Sequence, residues 1–372
     1  MKSDKEIASS LLESAGVTIN GKNDYDIQVH NESLYSRVLR QGALGLGEAY
    51  MDGWWDCKKL DQFFYKILST NLDKKIRGDW KILLKLAPNI ILNVGRKSKA
   101  FNVGQKHYDI GNDLYRAMLD KRMTYTCGYW KNAKTLDEAQ EAKLDLVCKK
   151  IGLGEGQKVL DIGSGWGSFM GYAAEKHGVK AIGVTVSKEQ KKLANELYYN
   201  LPVKTLLRDY RDINEKYDHI VSLGMFEHVG YRNYRTFMKT VHNALSDDGL
   251  FLLQTIGGNN SSVTTDPWIG KYIFPNSMVP SIKQIGKSIE GLFVMEDWHN
   301  FSTYYDQTLM AWYKNFEDSW DQLKENYDER FHRMWRYYLL LCAGSFRARK
   351  LQLWQIVLSK NGVKGGYAPI RL

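Results

Sequence analysis

Short apolar runs and longer stretches with helical spacing alternate along the chain from residue 136 to its C-terminal end. The runs are rich in β-branched residues, which is typical of buried strands. This alternation predicts an α/β fold, in which parallel strands are joined by right-handed crossovers. The predicted parallel strands are residues 158–162, 180–185, 203–207, 218–223 and 249–255, and residues 292–296 and 351–359 are predicted to pair antiparallel.

Two helical patterns accompany these strands. Residues 136–151 predict a helix that leads into the first strand, and residues 308–346 predict a long helical segment between the two antiparallel strands. Seven strands with helices between them predict a doubly wound sheet.

The N-terminal residues follow another pattern, which predicts a small α+β domain. Residues 3–16 predict a helix, because Ser3 and Glu6 have the spacing of a capping box and Gly16 is a typical helix stop. The further predicted elements are a strand at 25–30, helices at 31–41 and 60–72, and a glycine-rich aromatic stretch at 42–55. We therefore place the small domain at 1–95, a linker at 96–104 and the larger domain at 105–372.

Charge is concentrated between residues 71 and 107, where nine Lys and Arg residues stand against two acids. Leucines and isoleucines lie among these charges, as in segments that bind anionic membranes, although a solvated helix and a linker give the same pattern. The net charge of the chain is +10, which favours an anionic partner, either nucleic acid or anionic lipid headgroups.

Composition indicates the cellular compartment and excludes some kinds of binding site. No apolar run reaches the roughly 20 residues of a membrane-spanning helix, and the first residues lack the apolar core of a signal peptide. The four cysteines lie far apart without a CxxC pair. We therefore expect no metal site and a reducing, cytoplasmic location.

A glycine-rich turn follows the first predicted strand, with Gly163, Gly165 and Gly167 at alternate positions. Glycine lets the backbone approach a ligand closely, and the next residues predict a helix, so the turn predicts a nucleotide site. The turn has no lysine, which excludes a P-loop. A dinucleotide site of an oxidoreductase and a site for S-adenosylmethionine (SAM) both remain open. Asp161, an acid in the strand before this glycine pattern, is typical of SAM-dependent methyltransferases, and Val159 of the same strand is a further candidate cofactor residue.

Polar residues also follow the next two predicted strands. Thr185 and Gln190 follow the second, and Asp209 and Tyr210 follow the third. A hydroxyl and an amide suit a ribose or a methionine group, and an acid beside an aromatic ring suits adenine. Together with the glycine turn, these positions predict one adenosyl ligand lying across three strand ends.

The end of the fourth strand argues against nucleic acid as the substrate. It lacks the Asn/Asp-Pro-Pro-aromatic motif of many nucleobase methyltransferases, and the chain has no Pro-Cys nucleophile. It carries Glu227 instead. A carboxylate in an apolar pocket is costly unless it has a partner or a task.

Several segments resemble, in order along the chain, the bacterial cyclopropane-fatty-acyl-phospholipid synthases. They are residues 45–55, 125–130, 163–167, 224–230, 268–275, 296–301, 309–313 and 342–349. The catalytic half is also similar to the mycolic acid cyclopropane synthases. The resemblance implies a class I SAM-dependent methyltransferase fold, with Tyr125 and Thr126 as further SAM-binding residues.

The resemblance also implies a reaction. The methyl group of SAM is transferred to a cis double bond of a phospholipid acyl chain, and a bound bicarbonate takes the proton that lets the cyclopropane ring close. In this family the bicarbonate holders correspond to Glu227, Gln254, Tyr305 and the backbone of Cys127 and Ile256. The resemblance further implies a homodimer that visits the inner face of the membrane.

Gln254 departs from the family pattern, and Cys342 has two interpretations. The family usually has a histidine where this chain has Gln254, and an amide can donate or accept but cannot carry a proton. Cys342 is a candidate catalytic residue of the family's Cys-Ala-Gly segment, and a structural cysteine is the alternative. The rival functions are a lipid methyltransferase that leaves a methyl branch, a methylene or a hydroxyl, and a protein that binds the cofactor or lipid without catalysis.

Overall fold

The computed structural model describes residues 3–70 and 111–372. The predicted linker at 96–104 and the basic residues between 74 and 106 lie outside these described residues. The boundary between the two predicted domains therefore stays a prediction.

The described helices and strands follow one another as the sequence indicates. The helices are α1 (Asp4–Glu13), α2 (Ser33–Gln41), α3 (Ala43–Met51), α4 (Leu60–Ser69), α5 (Asn112–Met118), α6 (Leu136–Lys150), α7 (Ser168–His177), α8 (Lys188–Leu197), α9 (Tyr234–Ala244), α10 (Pro267–Tyr272), α11 (Ile282–Ile289), α12 (Thr303–Asp318), α13 (Trp320–Leu323) and α14 (Glu329–Arg347). The strands are β1 (Gln28–Val29), β2 (Trp55–Asp56), β3 (Lys158–Ile162), β4 (Lys180–Thr185), β5 (Val203–Leu207), β6 (His219–Leu223), β7 (Leu250–Gly258), β8 (Val294–Asn300) and β9 (Leu351–Ser359).

Strands β3 to β9 form one seven-stranded sheet in the order β5–β4–β3–β6–β7–β9–β8. The first five in this order are parallel, and β9 runs antiparallel to both β7 and β8. The predicted α/β fold, its strand positions and the antiparallel pair near the C-terminal end are confirmed. Because the five strands are parallel, their carboxyl ends lie at one edge of the sheet.

Both faces of this sheet are covered, which is why its strands are almost continuously apolar. Leu160 and Ile162 pack into a core cluster with residues of α9 and α11. Val159 lies in a second cluster with residues of α6 and α7. Successive strand residues point to opposite faces, so Asp161 projects to the same face as Val159.

Helix starts follow the capping signals. Ser3 and Glu6 form the predicted capping box, and Ser187 accepts a hydrogen bond from Gln190 N at the start of α8. The long helix predicted at 308–346 is wrong in one respect, because α12, α13 and α14 are separate. Asp328 starts α14 as its N-cap, accepting a hydrogen bond from Phe331 N.

The described residues group into two compact units. Unit 1 comprises the described part of Met1–Met118 with Thr264–Asn276 and Leu309–Lys350, and unit 2 comprises Leu119–Val263, Ser277–Thr308 and Leu351–Leu372. Unit 2 contains the seven-stranded sheet. No helix within the described residues is both long and apolar enough to span a bilayer.

Unit 1 is built around aromatic rings. Tyr337 packs against Tyr50, Phe64 and Trp268, with ring centroids 5.5, 5.0 and 4.5 Å away. The predicted glycine-rich stretch at 42–55 contains helix α3, and a Cβ at Gly47 would lie 2.3 Å from the Trp268 ring. That glycine therefore serves helix packing rather than a turn.

Candidate active site

The glycine turn leaves open space at the carboxyl edge of the sheet. Gly163, Gly165 and Gly167 have φ angles of +85°, +53° and +85°, a region that L side chains rarely adopt. A Cβ at Gly165 would meet no atom within 4 Å. Helix α7 begins directly after the turn, so its N-terminal N–H groups face this space. The turn fits the backbone-lined cradle that an adenosyl ligand needs.

Beneath the turn lies a buried carboxyl group. Asp161 is 3% exposed, and burial raises the pKa of its carboxyl to about 7, although Lys143 partly offsets this rise. Its Oδ1 has no hydrogen-bond partner within the described residues. Val159 is 1% exposed within the core, so its side chain is structural.

Lys143 is a residue that the sequence analysis missed. Its side chain is fully buried, burial lowers its pKa to about 8, and its Nζ donates to Thr126 Oγ1 over 2.9 Å. The Thr126 carbonyl accepts from Gln140 Nε2 over 2.7 Å. Helix α6 thus holds Thr126 in place, while Tyr125 beside it is partly buried. The available signal was a lysine among the mostly apolar residues on the buried side of α6, which also carries Gln140.

The polar residues after β4 and β5 make contacts within the protein. The Thr185 hydroxyl donates to Gln190 Oε1 over 2.9 Å, so the structure brings these two predicted cofactor residues together. Asp209 accepts from the guanidinium of Arg211, which holds the pKa of its carboxyl below the usual range. The Tyr210 ring packs against Phe237, with centroids 5.2 Å apart.

Glu227 is a buried carboxylate with a single partnered oxygen. It lies on a 3₁₀ turn after β6, is 7% exposed, and accepts from the Ile256 N–H at Oε1 over 2.6 Å. Its carbonyl accepts from the Met278 N–H over 2.8 Å, which fixes the backbone. Oε2 has no partner in the described part of the chain. Burial raises the pKa of Glu227 to about 7, and the Ile256 N–H offsets only part of the rise.

Gln254 lies on β7, two residues before Ile256, and is 1% exposed. Its carbonyl accepts from Gly224 N over 2.9 Å, and its side-chain Oε1 accepts from Gln355 Nε2 over 2.9 Å. Its Nε2 has no partner among the residues described. The described residues therefore leave one buried acceptor on Glu227 and one buried donor on Gln254 without partners.

Gln355 was also missed, although β9 was predicted. It is fully buried and lies opposite Gln254 in the antiparallel register. A glutamine inside an apolar strand was a visible signal, but its partner depends on a strand register that the sequence does not show.

Hydrogen bonds join Cys127 and the start of α12 in the same unit. The Thr308 hydroxyl donates to the Tyr304 carbonyl over 2.8 Å and accepts from the Gly128 N–H over 3.0 Å. Tyr305 follows on α12 and is 9% exposed. Cys127 is fully buried, and burial raises the pKa of its thiol well above the usual value. Its thiol is therefore not a nucleophile, in accordance with the backbone role expected for Cys127.

Cys342 lies on α14 in unit 1, whereas the other five predicted catalytic residues belong to unit 2. Burial raises the pKa of its thiol to about 12. A thiolate is the reactive form of cysteine, so this environment keeps Cys342 unreactive at neutral pH. No group of three or more metal-ligating side chains occurs within residues 3–70 and 111–372.

Leaving polar groups buried without partners costs about 1–3 kcal/mol each. Glu227 Oε2 and Gln254 Nε2 are two such groups within the described residues.

Three comparisons with known proteins agree with this geometry. The chain is 51% identical over 360 residues to cyclopropane-fatty-acyl-phospholipid synthase of Escherichia coli, covering 97% of this chain and 94% of that protein. It is 33% identical over 366 residues to sphingolipid C9-methyltransferase of Komagataella phaffii, covering 91% of this chain and 74% of that protein. The crystal structure of mycolic acid cyclopropane synthase CmaA1 complexed with SAH and CTAB is 33% identical, with a TM-score of 0.64, covering 71% of this chain and 99% of that one.

The structural similarity confirms the predicted class I SAM-dependent methyltransferase fold. A family model described as mycolic acid cyclopropane synthetase matches residues 95–356, which is more than half of the chain. The same family is indicated by the order of motifs along the sequence, by the sheet and by the relatives. The chain belongs to the mycolic acid cyclopropane synthetase family.

Proposed function

We propose that the protein is a cyclopropane-fatty-acyl-phospholipid synthase, which adds a methylene group across a cis double bond of a phospholipid acyl chain. The identity to the E. coli enzyme over nearly the whole of both chains supports this reaction and substrate. SAM supplies the electrophilic methyl group. A bicarbonate ion supplies the base that removes a proton from the new methyl group before the ring closes.

The residues at the carboxyl edge of the sheet fit SAM. The space at Gly165 is open to a ligand, Thr185 ends β4, and Gln190 and Asp209 follow β4 and β5. The side chains of Lys143 and Gln140 hydrogen-bond to Thr126. These contacts preorganise Thr126 for the methyl donor, which lowers the cost of ordering on binding.

The unpaired oxygen of Glu227 and the unpaired amide of Gln254 carry the proposal for bicarbonate. Bicarbonate has one O–H group, which suits Glu227 Oε2, and its other oxygens suit the Gln254 Nε2 donor. The Tyr305 hydroxyl and the backbone N–H groups of Cys127 and Ile256 complete the proposed set. Ile256 N donates to Glu227 in the structure, so the ion would share or replace that contact.

Aromatic residues near Cys127 suit a positively charged hydrocarbon intermediate. Tyr129 packs against Phe301 and Tyr304, with ring centroids 5.4 and 5.3 Å apart. Aromatic faces stabilise a cation by about 0.5–2 kcal/mol each, and they keep out water that would trap it as an alcohol. Tyr125 and Tyr305 are the further candidates for this role.

We also propose that the protein binds the membrane peripherally from the cytoplasm, as a homodimer, through anionic lipids. The net charge of +10 supports attraction to such lipids, at about 1 kcal/mol for each basic residue near the surface. The N-terminal domain at 1–95 would capture lipid or form the dimer, and the domain at 105–372 would carry out catalysis.

The test is incubation with SAM and vesicles of unsaturated phospholipid, in buffer freed of carbon dioxide, with and without added bicarbonate. We expect product lipids heavier by one methylene group, whose ring is detected by NMR, and a rate that rises with bicarbonate. Absence of any methyl transfer would overturn the enzymatic proposal. A rate that does not depend on the bicarbonate concentration would overturn the proposal that bicarbonate is the base.

The similarity to sphingolipid C9-methyltransferase supports a second candidate product, a methyl-branched lipid. When the same intermediate loses a different proton, it leaves a methyl-branched olefin or an exocyclic methylene group. Both this route and ring closure need a base, so the product itself decides between them. Olefinic or branched-methyl signals in the NMR spectrum of the product would instead indicate the methyltransferase reaction.

A further inference from the structure

Three large apolar side chains of unit 2 are exposed in segments that follow β6 and β7. Tyr231 follows β6 and is 40% exposed, and Val263 follows β7 and is 60% exposed. Ile282, the first residue of α11, is 59% exposed. Single exposed apolar residues are common on proteins, whereas several of them close together mark an interaction surface.

Hydrogen bonds connect the first of these side chains to the candidate site. The Met278 N–H donates to the Glu227 carbonyl over 2.8 Å, and the Tyr231 N–H donates to the Met278 sulfur over 3.2 Å. Tyr231 is four residues after Glu227, so at most about 15 Å of chain separates them. The exposed ring therefore lies in the same loop as the buried carboxylate.

The other two side chains are held together by the polar residues beside them. The hydroxyls of Ser261 and Ser281 are hydrogen-bonded over 2.7 Å. Ile282 directly follows Ser281, and Val263 follows Ser261 by two residues. Gln284 Nε2 also donates over 2.9 Å to the carbonyl of the residue before Val263. The loop after β7 and the start of α11 thus form one surface.

Cations accompany these side chains without acids. Arg232 follows Tyr231, Lys283 follows Ile282, and both are exposed. The three segments that carry the apolar side chains contain five Lys and Arg residues and no acid, although the whole chain has 42 acids in 372 residues. These segments are residues 228–246, 259–263 and 277–289. We call Tyr231, Arg232, Val263, Ile282 and Lys283 the edge patch.

The charge and the apolar side chains together indicate the kind of partner. Anionic lipid headgroups attract cations, and the bilayer interface also accepts apolar side chains. Nucleic acid would use the cations through its phosphates, but Val263 and Ile282 offer its backbone no hydrogen bond. A bilayer uses both properties of the patch.

We propose that the edge patch binds to the surface of an anionic bilayer, so that the phospholipid substrate reaches Glu227 across it; this inference rests on the proposed function. The three apolar side chains enter the interface, and the two cations bind lipid phosphates. The hydrocarbon core of a bilayer is about 30 Å thick, so the acyl chains of one leaflet are about 15 Å long. An acyl chain whose headgroup lies at the patch is therefore long enough to reach the site.

Charge reversal has a matched control on the same sheet. Arg232→Glu/Lys283→Glu reverses both cations of the patch. Lys180 and Lys204 are also exposed, and they lie near the starts of β4 and β5, at the opposite edge of the sheet. Lys180→Glu/Lys204→Glu therefore changes the net charge by the same amount away from the patch.

The apolar part of the patch has a control of the same kind. Ile282→Ser removes one apolar side chain from the patch and leaves its cations in place. Tyr199 is still more exposed and lies between α8 and β5, away from the carboxyl edge. Tyr199→Ser thus removes exposed apolar surface without changing the patch.

The experiment measures binding of the full chain to vesicles of unsaturated phosphatidylglycerol and phosphatidylcholine by flotation, and binding to duplex DNA in the same buffer. We expect vesicle binding to weaken at least about 30-fold in Arg232→Glu/Lys283→Glu and about fivefold in Ile282→Ser. Both control variants should stay within about threefold of wild type, because salt screens charges far from the membrane.

Catalysis is followed with the same lipids, in vesicles and dispersed in neutral detergent micelles, together with the affinity for S-adenosylhomocysteine (SAH). The rate of Arg232→Glu/Lys283→Glu on vesicles should fall along with its binding. Its rate on micelles and its SAH affinity should stay within about twofold of wild type, because the reacting groups are unchanged.

The outcomes separate this inference from the proposed function. Inactivity of wild type on both vesicles and micelles would overturn the proposed function. Equal vesicle binding by wild type and Arg232→Glu/Lys283→Glu would overturn the edge patch alone. Equal losses in that variant and in Lys180→Glu/Lys204→Glu would also overturn it, because net charge would then suffice. Wild type that binds DNA but not anionic vesicles would overturn the choice of partner.

Discussion

Two buried glutamates, one in each unit, show how surroundings give the same side chain different roles. The Glu48 side chain in unit 1 is 12% exposed and is hydrogen-bonded by Arg37, Lys271 and Tyr272. Burial tends to raise its pKa, but these partners outweigh burial and hold the pKa below the usual value. Within the described residues, the Glu227 carboxylate of unit 2 is hydrogen-bonded by the Ile256 N–H and forms no salt bridge, and burial raises its pKa to about 7.

The contrast shows how an acidic residue that stabilises the fold differs from one that belongs to a candidate binding site. Glu48 joins α2, α3 and α10 within unit 1, and its charge is satisfied by the protein. Glu227 Oε2 has no partner within the described residues, and Glu227 follows β6, the neighbour of the strand that ends at the glycine turn. Stability alone gives no reason for that arrangement.

The largest expected effect is on catalysis. Glu227→Gln keeps the shape of the side chain but removes the charge that orients the ion, so we expect the rate on vesicles to fall about 100- to 1,000-fold. SAH affinity, measured by calorimetry, serves as the control and should stay unchanged. Near-normal turnover in this variant would remove the distinction between the two glutamates.

The matched change in unit 1 acts on stability instead. Glu48→Gln removes a charged partner from Arg37, which keeps Asp52, and from Lys271, whose side chain is 44% exposed, so we expect a cost of about 1–2 kcal/mol. We expect a clear loss of melting temperature, while the folded fraction retains its turnover per molecule. An unchanged melting temperature would show that Glu48 is not the structural acid of the pair.

Relative to wild type, the stabilities of Glu227→Gln and Glu48→Gln should change with pH in opposite directions. The folded pKa of Glu227 is raised, so wild type loses stability as pH rises from about 4.5 to about 7, by up to about 3 kcal/mol. Glu227→Gln avoids that loss and should be the more stable protein at about pH 8, with little difference near pH 4.5.

The folded pKa of Glu48 is lowered, so its contribution is present above about 4.5 and is lost as pH falls through its folded pKa. Glu48→Gln should therefore be destabilised most at neutral pH. Melting temperatures of the three proteins across this pH range test both signs. Parallel curves for both variants would contradict the contrast.

A smaller effect is expected at Gln254. A histidine at this position can donate from one ring nitrogen while the other accepts from Gln355, so Gln254→His should keep its rate within about tenfold. It should also gain an ionisation near about pH 6–7 in the rate profile, because histidine titrates there and an amide does not. Identical pH profiles would place Gln254 outside the anion site.

The smallest effect is expected at Cys342. Burial raises the pKa of this thiol to about 12, and the proposed reaction has no step for a thiolate. Cys342→Ala should keep its rate within about twofold after correction for folded protein. A loss comparable with that of Glu227→Gln would require a catalytic role in unit 1.

Much of unit 2 could be predicted because local patterns determine it. The apolar runs at β3 and β4, the glycine turn and the capping residue Ser187 each depend on neighbours in the sequence. The end of the fourth strand indicated Glu227, and the resemblance supplied its role and Gln254. Lys143 and Gln355 escaped prediction, because their importance lies in partners 17 and 101 residues away, which only packing and strand register bring together.

Binding of the ion itself tests the central claim most directly. Line broadening of ¹³C-labelled bicarbonate in NMR spectra can be compared between SAH-bound wild type and SAH-bound Glu227→Gln, at equal pH and ionic strength. The account predicts saturable broadening in wild type that is lost in Glu227→Gln. No broadening in wild type, or equal broadening in both proteins, would contradict it.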